Sequence, residues 1–155
     1  MELLTLYLAS DHAGLALKDS CKAYLLGQGY AVLDCGAIVF SAEDDFPDFI
    51  SKAAAAVSKA PETSRGIIFG GSGQGEAMLA NRYPNVRATV YYGGPKEILT
   101  LARAHNDANI LSLGARFLKS EEAETAIAVW LTAEADPDPK YKRRNQKIET
   151  LTRSL

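Results

Sequence analysis

Glu76 closes an eight-residue run, Phe69-Gly70-Gly71-Ser72-Gly73-Gln74-Gly75-Glu76, of which four residues are glycine. Glycines let the backbone take positive φ and turn successive N–H groups toward one point. The segment that follows, Ala77-Met78-Leu79-Ala80, reads as a helix, whose unpaired N–H groups and dipole add to the same positive focus. Such a loop can hold a phosphate, or an oxyanion that exists only during a reaction. Glu76 adds a carboxylate at its lip. A helix N-terminus lowers a carboxyl pKa. Service as a base therefore requires desolvation that offsets this effect.

Three other groups of residues could act with the loop. Asp11-His12 offers a carboxylate and an imidazole, or simply a helix cap and a surface histidine. His105-Asn106-Asp107 is the second histidine cluster, and by itself it reads as a helix C-terminus. The tail carries Lys140, Lys142, Arg143, Arg144, Lys147 and Arg153, a pattern that ordinarily marks a solvated helix face. Within it Arg143 and Lys147 stand at i and i+4 on one face, which suits a phosphate. Arg116 is one more cation at a strand end.

Several chemistries find no support. Gly71-Ser72-Gly73-Gln74-Gly75 lacks the G-x-G-x-x-G spacing of a dinucleotide site and follows the third strand, not the first. No G-x-x-x-x-G-K-[ST] loop is present, so no nucleotide cofactor is expected. No local His–carboxylate or cysteine spacing of metal-site type occurs, and metal-free chemistry is expected. Cys21 lies in an apolar helical pattern and Cys35 has no evident base, so neither reads as a nucleophile. Trp130 reads as core or interface.

The elements that must position these groups alternate. Strands are expected over Leu4–Ala9, Tyr30–Asp34, Gly66–Phe69, Val86–Tyr92 and Asn109–Gly114. Helices are expected from Leu15 to Leu26, from Pro47 to about Ser58, after the glycine loop, from Gly93-Gly94-Pro95 to about Ala104, from Ser120 to about Leu131, and through the tail from Lys140. This alternation predicts an α/β fold, a parallel five-stranded sheet between helical layers with a C-terminal helix. Ligands gather at the carboxyl ends of such strands. Asp11 and His12, the glycine loop and the segments after the fourth and fifth strands are all expected there.

At 155 residues, 47% hydrophobic and 23% charged, the chain suits one domain spanning 1–155. A net charge of −2 argues against general nucleic-acid or anionic-membrane binding. Met1-Glu2-Leu3-Leu4-Thr5 does not read as a signal peptide and no run is long enough to span a membrane. Two cysteines without CxxC spacing fit a reduced, cytoplasmic setting.

Taken in order, Asp11-His12-Ala13-Gly14, Asp34-Cys35-Gly36, Gly70 to Glu76 with Ala80-Asn81, Arg103 to Asn109, and Gly114-Ala115-Arg116 resemble the ribose-5-phosphate isomerase B / galactose-6-phosphate isomerase (RpiB/LacAB) family. The resemblance covers nearly the whole chain. It implies a Rossmann-like αβα sandwich, interconversion of aldose and ketose phosphates without cofactor or metal, and homodimers with active sites at the interface, further pairing into tetramers being left open. Many members carry a cysteine base at the end of the third strand. Here that position is Gly70, and the chain is similar to the branch that uses a glutamate, matched by Glu76.

By the same resemblance, Glu76 moves the proton between C2 and C1 and Ser72 passes one between O1 and O2. The N–H groups of Gly71, Gly73, Gln74 and Gly75 hold the enediolate oxygen. His105, helped by Asp11, opens the furanose ring, with Asn106 holding oxygens. His12, Arg116, Arg143 and Lys147 hold the phosphate, some from the partner chain. Lys147 stands where the family usually has arginine, and it lacks the bidentate fork. The implied reaction is ribose 5-phosphate to ribulose 5-phosphate. The alternatives are a six-carbon sugar phosphate (allose or galactose 6-phosphate) and a non-catalytic sugar-phosphate-binding regulator.

Overall fold

The structure is a computed structural model that describes residues 3–155. Met1 and Glu2 of the amino-terminal stretch lie outside the described residues. Five strands, β1 (Thr5–Ser10), β2 (Ala31–Asp34), β3 (Ser64–Gly70), β4 (Ala88–Tyr91) and β5 (Ile110–Gly114), form one parallel sheet in the order β2-β1-β3-β5-β4. Six helices accompany them among the described residues: α1 (Leu15–Gly27), α2 (Pro47–Lys59), α3 (Gln74–Ala80), α4 (Glu97–Asn106), α5 (Ser120–Thr132) and α6 (Pro139–Thr152).

Every expected element is present, with boundaries moved by a few residues. Pro47 opens α2, where its fixed φ suits the first turn. β3 reaches back to Ser64, where pairing with Thr5 begins. β4 is short because the Val86 and Arg87 N–H groups bond Tyr83 and the Asn109 side chain, not a neighbouring strand.

Side chains alternate along the central strands, and each face has its own core. Leu6, Leu8, Ile67, Phe69, Leu111 and Leu113 pack with Leu17, Cys21 and Leu25 of α1, Leu99 of α4 and Trp130 of α5. Ala9, Ile68 and Ile110 on the other face meet Ile50, Ala53, Ala54 and Val57 of α2 and Ala80 of α3. Both layers are therefore anchored by fully buried aliphatic residues, which is what a sheet covered on both faces requires. Helix α6 differs. It contacts α4 and buries none of its residues, and Ile148 and Leu151, its apolar spacing, are 47% and 73% exposed.

Lys18 lies on the buried face of α1 and is fully enclosed. Its Nζ donates to Asp34 Oδ1 at 2.6 Å and to the Ala37 carbonyl at 2.7 Å. Burial alone would raise the Asp34 carboxyl. Bonds from Lys18, the Gly36 N–H and Lys22 outweigh it and hold the group below the ordinary aspartate value. A depressed carboxyl contributes stability above its unfolded pKa and loses it as pH falls through the folded one. Asp34→Ala strands the Lys18 charge and is expected to cost about 3–5 kcal/mol, read by urea unfolding at neutral pH. The difference from the parent should shrink in acid, below about pH 4.

Candidate active site

β1 and β3 are neighbours, yet the chain leaves their carboxyl ends toward opposite faces, α1 joining one layer and α3 the other. A crevice opens at such a point. Here it is a cavity of about 230 Å³ whose wall includes Asp11, His12, Gly71, Ser72, Gly75, Glu76, Arg116 and Phe46. Residues from four separate segments thus meet at one end of the sheet. The volume is below the roughly 300–1,000 Å³ usual for a small-molecule site.

Glu76, in the first turn of α3, is only 5% exposed. No cation pairs with it among the described residues. Burial pushes its carboxyl above the ordinary glutamate value; its own backbone N–H works the other way, and the nearby Asp11 adds to the rise. Desolvation therefore prevails over the helix terminus, the condition for a carboxylate here to serve as a base.

Gly70 explains how the carboxyl fits. A Cβ at position 70 would overlap the Glu76 carboxyl group. Any side chain at the end of β3 and the observed Glu76 pose compete for the same space. Gly73, which caps α3, has φ of +80°. Its carbonyl accepts from the buried Ser112 Oγ at 2.6 Å, which fixes the loop to β5. The N–H groups of Ser72, Gly73 and Gly75 have no protein acceptor among the described residues. Gly73 and Gln74 themselves do not line the cavity. The Gln74 N–H is held by Ser72 Oγ at 3.3 Å.

Arg116, exposed after β5, lays its guanidinium over Gly71, where a Cβ would come within 3.1 Å of Cζ. Asp11 is 8% exposed, and its Oδ1 accepts from the Gly14 N–H at 3.2 Å. It thus braces the turn before α1 without capping the helix, whose N-cap is Gly14 with no side-chain cap bond, and it also lines the cavity. The thiols are unsuited to catalysis. Burial pushes Cys21 up to about 12 and moves Cys35 above its ordinary value.

One expectation needs correction. His105 and Asn106 end α4, which returns the chain from the carboxyl end of β4 to the amino end of β5. They lie at the opposite end of the sheet from Asp11 and Glu76 of the same chain. A helix that crosses back between parallel strands puts its C-terminus there, so a histidine just before β5 is not on the ligand side. His105 instead stacks on Tyr141 of α6, with ring centroids 4.3 Å apart and planes 8° from parallel. Asn106 meets Asn145 at 3.4 Å. Arg143 and Lys147 are exposed on α6 and have no acidic partner among the described residues. The structure therefore shows two sets, Asp11, His12, Ser72, Glu76 and Arg116 at one end, and His105, Asn106, Arg143 and Lys147 at the other.

Two residues escaped the sequence reading. Asp44 and Phe46 come from the acidic segment before α2. Asp44 Oδ1 lies 2.6 Å from His12 Nδ1, and Phe46 stands 3.0 Å from where a Gly75 Cβ would be. Asp11, His12 and Asp44 hold donor atoms within 4.8 Å of one another, although no spacing along the chain suggested such a group. The short His12–Asp44 contact is a hydrogen bond, which already engages Nδ1.

A family model described as Ribose/Galactose Isomerase matches residues 6–148. The chain belongs to this isomerase family. Ribose-5-phosphate isomerase B of Mycolicibacterium paratuberculosis is 37% identical over 141 residues, covering 91% of this chain and 87% of that protein. The protein of the same name from Escherichia coli is 34% identical, covering 92% of this chain and 90% of its own. Among solved structures, ribose-5-phosphate isomerase B from Mycoplasma genitalium with bound ribulose-5-phosphate superposes with a TM-score of 0.93 at 32% identity, over 100% of both chains. The Thermotoga maritima enzyme gives 0.87 at 35% identity, over 95% of this chain and 98% of that one. The five-stranded parallel sheet and its two helical layers are thus the fold of this isomerase family.

Proposed function

We propose that this family member interconverts ribose 5-phosphate and ribulose 5-phosphate, residues 1–155 acting as one sugar-phosphate isomerase domain, with Glu76 as the base. The observation that carries the reading is a buried carboxyl with no cation paired to it among the described residues, beside a loop whose Ser72, Gly73 and Gly75 N–H groups have no protein acceptor there; burial pushes that carboxyl above its ordinary value. Glu76 removes the proton from C2 of the open-chain aldose, and the carbonyl electrons move onto O1. The loop N–H groups stabilise the enediolate, a contribution of about 3–4 kcal/mol per donor in comparable sites. Ser72 carries a proton from O2 to O1, and Glu76 returns its proton to C1. Each step is a proton transfer, so the atoms balance without a redox partner.

His12 and Arg116 hold the phosphate at this end. Ring opening by His105, with Asn106, and the remaining phosphate contacts from Arg143 and Lys147 come from a partner protomer. The exposed apolar face and free cations of α6 support this arrangement. In a symmetric dimer each chain then lends one half of each site. Turnover assays on ribose, allose and galactose phosphates test the substrate. Ribose 5-phosphate is expected to give the largest kcat/KM, and absence of turnover on all three would overturn the enzymatic reading.

Gly70→Ala supplies a geometric test. The added methyl displaces the Glu76 carboxyl, and misplacement of a catalytic group by about 1 Å can cost about a hundredfold in rate. A kcat loss of that order is expected, with an unchanged far-UV circular dichroism spectrum. Full activity in this variant would show that the buried pose is not the working one.

A further inference from the structure

His12 has one feature that the isomerase reading leaves unused. Its Nδ1 lies 2.6 Å from Asp44 Oδ1, and its backbone N–H donates to the same oxygen at 3.1 Å. Asp44 reaches it from the segment between β2 and α2, thirty-two residues away in sequence. The Asp44 side chain is 9% exposed, and its Oδ2 is buried without a hydrogen-bond partner among the described residues. The carboxylate is therefore committed to His12 through a single oxygen. Phe40, from the same segment, packs edge-on against the imidazole, with centroids 5.9 Å apart and planes at 89°. The ring is held from the side by one group and along its edge by another.

On the sugar-phosphate reading above, we propose that Asp44 is a positioning residue for His12: it holds Nδ1–H, fixing the ring and leaving Nε2 as the nitrogen that meets the substrate phosphate. Three charged groups face the imidazole. Asp44 raises its pKa most, through the hydrogen bond; partial burial lowers it; Asp11, at 4.0 Å, raises it further, and Arg116 lowers it. The net direction is upward, so Asp44 keeps His12 cationic to higher pH than a free histidine, in the range where a sugar phosphate is doubly charged. Arg116 alone would otherwise supply positive charge at this end of the site. Among the described residues the buried Asp44 carboxylate accepts only from His12, from its ring Nδ1 and its backbone N–H, so both contacts fix the imidazole in place.

The test uses the full chain and its Asp44→Asn variant. The substituted amide keeps a neutral acceptor and removes the charge. Titration of the His12 ring by NMR, assigned against His105→Asn, should show a lower pKa in the variant. KM for ribose 5-phosphate near about pH 7.5 should rise about tenfold, the loss of a charge-assisted hydrogen bond, with kcat within about threefold. The gap should narrow toward about pH 6, where His12 regains its proton without help. An unchanged His12 titration, or KM profiles that run parallel across this range, would overturn the proposal. Should the variant not fold, nitrogen-15 spectra of the natural protein decide it. A proton on Nδ1 with a pKa above the ordinary value is expected, and a bare Nδ1 would overturn it. Inorganic phosphate, added to the same sample, should shift the His12 signal. The NMR titrations do not need turnover, so a failure of the isomerase reading and a failure of the Asp44 role give different results.

Discussion

Replacing Glu76 with Gln is expected to lower kcat for ribose 5-phosphate by about a thousandfold, within the 10²–10⁴ that a positioned general base contributes. Calorimetric binding of the sugar phosphate should stay within about threefold, because the amide keeps the shape and gives up only the proton acceptor. Loss of folding does not explain such a result. A carboxyl whose folded pKa lies above its unfolded value binds more protons in the native state. Stability therefore falls as pH rises through that window, and ionised Glu76 opposes folding at neutral pH. The variant should be at least as stable as the parent in urea near pH 7. The same shift places the acid limb of the parent kcat/KM profile above the ordinary glutamate value of about 4.3. A limb at or below that value would contradict the desolvated carboxyl seen beside Gly70.

Mixing two inactive variants should restore activity. In a Glu76→Gln protomer the His105 end is intact, and in a His105→Asn protomer the Glu76 end is intact. β5 spans five residues, about 17 Å at roughly 3.3 Å per residue, and the two ends lie at opposite edges of it. If each site joins Glu76 of one chain to His105 of the other, a mixed dimer has one complete site and one doubly altered site. Equal mixing with free exchange makes about half the dimers mixed, so about a quarter of parental activity should return. A site built within one chain predicts no gain over the mean of the two variants. Steady-state rates after unfolding and co-refolding, with each variant treated alone as control, read this directly.

The alternation of strands and helices was legible because each element has its own apolar period and its own turn residues. The glycine loop was legible for the same local reason, since spacing along five consecutive positions dictates its geometry. The rest was nonlocal. The end of the sheet that His105 occupies does not follow from its neighbours but from the parallel alternation, since a helix crossing back from β4 finishes at the amino end of β5. Asp44 is one acidic residue among several before Pro47, and nothing local separates it from Glu43 or Asp45. Its role appears only when that segment folds against His12. Lys18 was closer to legible. It sits three residues before Cys21 on the apolar stripe of α1, and a lysine there implies a buried acceptor.

The resemblance named a glutamate branch, and the structure adds its steric reason. The space at the end of β3 holds either a side chain from position 70 or the Glu76 carboxyl. The Glu76 carboxyl and the glycine that admits it form one unit, and a change at either position acts on the same atoms.

The measurement that tests the central claim most directly is isomerisation in deuterium oxide followed by proton NMR, the natural protein beside Glu76→Gln. A carboxyl base exchanges its captured proton with solvent before returning it. The natural protein is expected to place deuterium at C1 of ribulose 5-phosphate and at C2 of recovered ribose 5-phosphate, and the variant to place none during the same time. Deuterium entering at equal rates in both would contradict Glu76 as the group that carries the proton.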